Sequence, residues 1–292
     1  MLKEWPLVAF TVAGQTALGL FLVAGLPLFF SRGGAADAPA RGSRLAVLLT
    51  ALGLMAAASF VSFFHLHHPF RAARVLANVR TSWLSREVLF ELGFMALLAV
   101  LAFLLWTGTG EEGLHRGLFA AAGVSGVLFV WSMSKLYMLK AVPAWDHAYT
   151  PVSFFLTAVL LGALTAAAFS GAFRPGGSSA LKPLLAACLV LVAAAFLWAL
   201  LTAPVHGIFG ARPPASLTPP GGASSALYAA RLIMLVLGSL ALAAAIWRES
   251  SAPALGAKAG LAAPVGLAWV LVLIGEVLGR FHFYGQVGRP GP

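Results

Sequence analysis

Charge is what this 292-residue chain has least of. Asp, Glu, Lys and Arg together make up 10% of it, against 60% hydrophobic residues and a mean hydropathy of +0.92. A soluble domain carries roughly 25% charged residues, so composition excludes a water-soluble fold, and run length agrees. Neither Trp5–Phe30 nor Leu45–Phe64 contains a charged residue, and about twenty helical residues cross the ~30 Å hydrocarbon layer. Cysteine is nearly absent too. The single Cys188 excludes an intrachain disulfide and a cysteine-ligated iron–sulfur cluster within this chain; it lies in an apolar run and reads as a packing residue. Acids are scarce, nine against 19 Lys and Arg, giving a formal charge of +10 and a pI near 10.7. The cations are spread over membrane-flanking loops and form no basic patch with interleaved aromatics. They suit lipid headgroups or an acidic partner, and a nucleic-acid-binding module is excluded.

What is present is a series of long apolar runs. Counting them predicts eight spans: Trp5–Phe30, Leu45–Phe64, Val88–Trp106, Gly117–Met138, Pro151–Phe173, Leu184–Leu201, Ala226–Trp247 and Gly260–Leu278. The runs are continuous, with no alternation of apolar and polar residues, so helices fit and a transmembrane barrel does not. The expected fold is all-α, a polytopic transmembrane bundle of about eight helices, with residues 1–292 as one integral membrane domain and no extramembrane domain. The first span is longer than a signal-peptide core and no A-x-A-like site precedes the basic loop after it, so it is expected to be retained. His206 to Ser225, rich in Pro, Gly and Ser, reads as an irregular surface segment. No internal repeat is evident. Lys and Arg divide almost evenly between the two sides, so charge alone does not orient the chain.

Titratable groups concentrate in one place, Ser59 to Glu91, between the second and third spans. This stretch holds three of the seven histidines, four of the nineteen Lys and Arg and two of the nine acids. An ionisable group beside hydrocarbon costs a few kcal/mol and is rarely there without a role. His65 ends an uncharged span, where an imidazole could exchange protons with a quinone oxygen or simply face headgroups. Arg71 and Arg74, three apart, share a face if their segment is helical; lipid- or partner-facing cations are the alternative. Glu87 and Glu91, four apart, share a face at the start of the third span. With Ser85 as an N-cap, Glu87 could be a first-turn helix acid, whereas Glu91 lies a turn deeper, which suits proton handling. Glu276 and Arg280 are expected to form an intrahelical ion pair, and Lys135, Tyr137 and Arg231 to snorkel to the interface. The histidines fall in loops or at span ends, His115 in a loop among them, which disfavours bis-histidine haem. The HLHHP spacing matches no standard zinc ligand set.

Ordered motifs along the chain carry a resemblance. They are Glu4-Trp5-Pro6-Leu7 with Phe10-Thr11 and Gly14-Gln15, HLHHPFRA at 65–72, SWLSRE at 82–87, FVWSMSKLY at 129–137, VPAW at 142–145, TPVSFFLT at 150–157 and GEVLGRFHFYG at 275–285. Together they resemble the membrane-anchor subunit of the anaerobic dimethyl sulfoxide reductase family. The resemblance implies an eight-helix anchor in the bacterial cytoplasmic membrane that binds menaquinol and carries no haem or iron–sulfur cluster of its own. Its implied partners are an iron–sulfur electron-transfer subunit and a molybdopterin catalytic subunit. The family's quinol-site histidine, arginine and glutamate fall on His65, Arg71 and Glu87, and both termini are implied to face the outer side. His67 departs from the family, which usually has glycine there.

The expected function is therefore menaquinol oxidation. His65 and Glu87 would take protons, Glu91 would extend the path to water, and Arg71 with Arg74 would position the headgroup. Two alternatives remain. One is the anchor of a related dehydrogenase running in the quinone-reducing direction. The other is a small-solute transporter, which predicts helices broken near the bilayer midplane, with Gly25, Pro27 and Gly162 as the nearest candidates.

Overall fold

In the computed structural model of the protein, the described residues are 4–30, 38–62, 75–142, 145–170, 181–203, 223–251 and 262–286. They form eight helices: α1 (Trp5–Phe30), α2 (Ala38–Ser62), α3 (Trp83–Thr107), α4 (Glu112–Tyr137), α5 (Tyr149–Ala168), α6 (Leu181–Thr202), α7 (Ala223–Ser251) and α8 (Ala262–Gly285). No strand occurs among the described residues, and all eight helices are long and apolar enough to cross a membrane. The number of spans is as the apolar runs predict.

Three starts lie well ahead of expectation. The helix α2 opens at Ala38, not Leu45. Ser82, not Ser85, is the N-cap of α3: its backbone is extended and its Oγ accepts from the Ser85 N–H at 3.3 Å. The helix thus opens at Trp83, with polar residues in its first turns, and Glu87 lies beyond the first turn. Likewise α4 opens at Glu112 and includes His115, which is helical and buried, its Nε2 at 2.9 Å from the Thr109 carbonyl. Hydropathy marks where charge ends, whereas helix geometry starts at the cap.

Helix adjacency divides the bundle into two rings. The first closes α1–α2–α3–α4 and the second α5–α6–α7–α8; they join through α1 against α5 and α8, and α4 against α5. Four consecutive crossings return the chain to the same direction, so α1 and α5 run parallel at the seam. Their crossing is backbone against backbone. A Cβ on Gly19 would stand 1.7 Å from the Ala158 carbonyl oxygen, and one on Gly162 would stand 2.1 Å from the Gly19 carbonyl carbon. Lipid tails are as apolar as leucine, so helices in a bilayer gain by such close approach. Gly162 is therefore a packing contact, and α1 runs unbroken through Gly25 and Pro27. The Gly25 site is covered by the Phe119 ring, which stacks on Phe21 and Phe29 with centroids 4.3 and 4.5 Å apart.

One end of the first ring is tied by charge. Arg44 of α2, 2% exposed, makes a two-pronged contact with Glu112 of α4 at 2.9 and 3.0 Å, and its Nε donates to the Leu28 carbonyl of α1 at 2.8 Å. α3 ends nearby on Gly108, whose φ of 73° is a left-handed cap suited to glycine.

Replacing Gly19 or Gly162 with alanine should lower stability by about 1–3 kcal/mol or more, the cost of overpacking. Gly53→Ala, where an added Cβ meets nothing within 4 Å, should leave the melting temperature of the purified protein unchanged. Equal melting temperatures for all three variants would refute the seam.

Candidate functional site

The chain leaves α2 and enters α3 at the end of the bundle opposite Arg44, and the buried titratable groups cluster at that end. Of the residues singled out in the sequence, Glu87 and Glu91 are described. His65, Arg71 and Arg74 lie outside the described residues.

The two acids face inward from the start of α3, 3% and 7% exposed. Glu91 accepts a short hydrogen bond from Ser59 of α2, whose hydroxyl also lies 2.9 Å from the Met55 carbonyl. The helices are thus pinned at the depth of the acids. Glu87 differs. Its Oε2 is buried and has no hydrogen-bond partner among the described residues. Arg86, its sequence neighbour, turns away: it donates to the Val79 and Arg80 carbonyls at 2.9 and 2.6 Å and lies over the Trp83 ring. It fastens the turn entering α3 and leaves Glu87 uncompensated.

Behind Glu87 stands an aromatic wall. Tyr137, at the end of α4, is buried among Trp145, Phe154, Phe283 and Tyr284, with ring centroids 5.2–5.9 Å away. Tyr137 is a core residue, so the expectation that it snorkels is overturned. The Tyr137 and Tyr284 hydroxyls interact with each other, and both lie within electrostatic reach of Glu87. Tyr284 also contacts Thr11 of α1 at 3.4 Å. Trp145 closes the wall by donating to the Phe283 carbonyl at 2.9 Å.

A second polar group lies in the other ring. The expected pair between Glu276 and Arg280 is not the contact that forms. Glu276 instead pairs with Arg231 of α7 at 3.0 Å and accepts from Thr157 of α5 at 2.5 Å. Arg280 donates to Gln15 of α1 at 2.8 Å and lies 3.7 Å from the centre of the Phe154 ring. Arg231 accordingly does not snorkel. The reason is local: α8 presents Gly275 and Gly279 to α7, and the Arg231 side chain lies across the space a Cβ at Gly279 would fill, 2.8 Å away. Spacing within one helix reveals which residues share a face, but not that a neighbouring helix offers a closer partner. Tyr149, Thr202, Tyr228 and His282 join Arg231 and Glu276 around a cavity of about 30 Å³, room for roughly one water molecule. Among the described residues no three His, Cys, Asp or Glu side chains come together as a metal site would require.

Ser59, the Tyr137–Tyr284 pair and the Arg231–Glu276 bridge were not evident from the sequence. Gln15 and Tyr284 did carry a signal, since both stand in the motifs that suggested the family. Chemically, this end of the bundle holds three buried carboxyls among the described residues, one locked by arginine and two that are not. The latter two are free of an arginine and so better suited to exchange protons.

A bundle of eight helices, each long and apolar enough to cross a membrane, is a multi-pass membrane protein. The chain belongs to the DMSO reductase anchor subunit family (DmsC), whose model matches residues 1–286. It is 30% identical over 283 residues to the anaerobic dimethyl sulfoxide reductase protein YnfH of Escherichia coli, covering 97% of this chain and 94% of that protein. To a second anaerobic dimethyl sulfoxide reductase polypeptide of the same organism it is 31% identical over 285 residues, again covering 97% and 94%. A shorter match, 35% over 140 residues, is to a sulfite dehydrogenase subunit of Allochromatium vinosum, covering 44% of this chain and 42% of that one.

Arg231→Leu should leave Glu276 buried without its cation and cost about 3–5 kcal/mol, whereas Arg231→Leu combined with Glu276→Leu should recover most of that loss. Thermal denaturation of the purified variants checks this. A double variant no more stable than the single one would mean that the bridge is not what holds α7 to α8.

Proposed function

We propose that this chain is the membrane-anchor subunit of a dimethyl sulfoxide reductase-type molybdopterin oxidoreductase. In this reading it oxidises menaquinol where α2 meets α3 and passes the electrons to an iron–sulfur partner subunit. Oxidation of the quinol to the quinone releases two electrons and two protons. His65 hydrogen-bonds one quinol oxygen and accepts its proton, while Glu87 takes the other. Glu91, one turn along the same face, shares the proton with Glu87 and hands it toward water. Arg71 and Arg74 orient the polar headgroup as the apolar tail stays in the bilayer. The electrons leave for a cluster in the docked subunit, since one cysteine cannot hold a cluster here.

What supports this most is the Glu87 carboxyl. A buried carboxyl oxygen without a partner costs free energy, and nothing among the described residues offsets that cost. A quinol hydroxyl is a donor of the right kind for it. Glu91, by contrast, is held by Ser59, so the pair has one oxygen committed to structure and one free for chemistry. Membership in the anchor-subunit family, together with two relatives named as chains of anaerobic dimethyl sulfoxide reductases matched over nearly their whole length, supports the partners and the reductase direction. The sulfite dehydrogenase relative, matched over less than half of the chain, is the support for the opposite direction, in which the same residues would deliver protons to a quinone.

His65→Arg and Glu87→Lys should each lower quinol-dependent turnover of the membrane complex by about 100-fold or more, the range of a lost acid–base group. Both complexes should still assemble, which co-purification of the subunits would confirm. Normal turnover in both variants would refute the site.

A further inference from the structure

Away from the acids, on the opposite half of the bundle, a groove runs between α1 and α4 on the outer surface. It is lined by Leu22, Leu26, Phe30, Phe119, Gly123, Val124 and neighbouring apolar residues as far as Leu128, encloses about 370 Å³ and has almost no polar lining. Leu26, Phe30 and Val124 are 47%, 48% and 60% exposed. At its end stands Arg116, one turn before Ala120 of the groove wall. Arg116 spends its Nε on the Phe29 carbonyl at 3.0 Å and on Glu112 at 3.2 Å. Its two terminal nitrogens make no hydrogen bond among the described residues, and its side chain is 41% exposed.

We infer that this groove holds an anionic phospholipid, with the phosphate on Arg116 and one acyl chain along α1 and α4. Length supports the assignment. From Arg116 to Leu128 is twelve residues of helix, about 18 Å at 1.5 Å per residue. Half of a ~30 Å hydrocarbon layer is about 15 Å, so the groove extends from an interface to the bilayer midplane, the reach of a single leaflet. Charge supports it as well. Glu112 is already engaged by both Arg44 and Arg116, so this cluster of two guanidinium groups and one carboxylate carries one surplus positive charge. Glu111, exposed at the cap of α4, is the nearest other acid in sequence. A guanidinium with free N–H groups pairs with phosphate in a two-pronged manner, and a neutral zwitterionic headgroup gains less from it. Gly123 makes the groove deep: a Cβ there would be in ordinary contact with Leu22 and Phe21, at 3.6 and 3.8 Å, so a larger side chain at this position would take up groove space.

The complex is purified from its membranes in mild detergent and its retained lipids are measured by native mass spectrometry. Wild type should retain phosphatidylglycerol in preference to phosphatidylcholine. Arg116→Gln should reduce that preference about tenfold, the factor of one lost charge-assisted hydrogen bond. Gly123→Leu should reduce retention of both lipids. Val124→Trp, which fills the groove from its exposed rim and leaves the core untouched, should do the same and guards against misfolding of the glycine variant. A photocrosslinker at Val124 should yield lipid adducts. Capture of a peptide there, or equal lipid retention in wild type and all three variants, would overturn the assignment.

Discussion

Everything here follows from the cost of holding a charge in hydrocarbon. The chain has few ionisable groups, and most of the described buried ones have partners. Arg44 and Glu112 answer one another across α2 and α4, with Leu28 of α1 taking the remaining donor. Arg231 and Glu276 do the same between α7 and α8. Arg280 is kept by an amide and an aromatic face, which satisfies a cation without adding a second acid. These contacts fix helix positions because an uncompensated charge in that environment costs several kcal/mol. They work as registers, each allowing only one axial setting of the helices it joins.

The two rings of four helices divide the labour. The seam between α1 and α5 is made of glycine and alanine, so it is close and rigid. Polar cross-links then join the two rings at one end: Gln15 of α1 reaches Arg280 of α8, and Thr11 of α1 meets Tyr284 of α8. The aromatic wall around Tyr137 draws on α4, α5, α8 and the connection before α5. As a result Glu87, which belongs to the first ring, is backed by groups anchored in the second.

The fold was legible in the sequence because it rests on a single quantity, apolar run length, that needs no knowledge of neighbours. All eight spans were countable, but their limits were not: α2, α3 and α4 open at Ala38, Trp83 and Glu112, ahead of the apolar runs, and α8 continues past Leu278 to Gly285. The site was legible in part. Glu87 and Glu91 could be placed on one face by their spacing, and both are buried on it. The partners were not legible. Glu276 has a cation four residues away in its own helix and takes one forty-five residues away instead, because small residues of α8 let Arg231 lie across it. Ser59 gave no signal of its own, since one serine among apolar residues is ordinary until the acid opposite it is known.

That contrast in partners bears on the chemistry. A carboxyl clamped by a guanidinium and a threonine, as Glu276 is, has both oxygens engaged and holds its neighbours in place. Glu87 has the opposite setting. One of its oxygens is unpartnered among the described residues, a tyrosine pair stands within electrostatic reach, and its sequence neighbour Arg86 is committed elsewhere. An unpartnered buried oxygen would be a fault in a residue meant only to hold helices together. The distribution of arginine thus divides the described buried acids: a guanidinium ties Glu276 into the scaffold, whereas none among the described residues reaches Glu87, which is why the proposed chemistry is placed there.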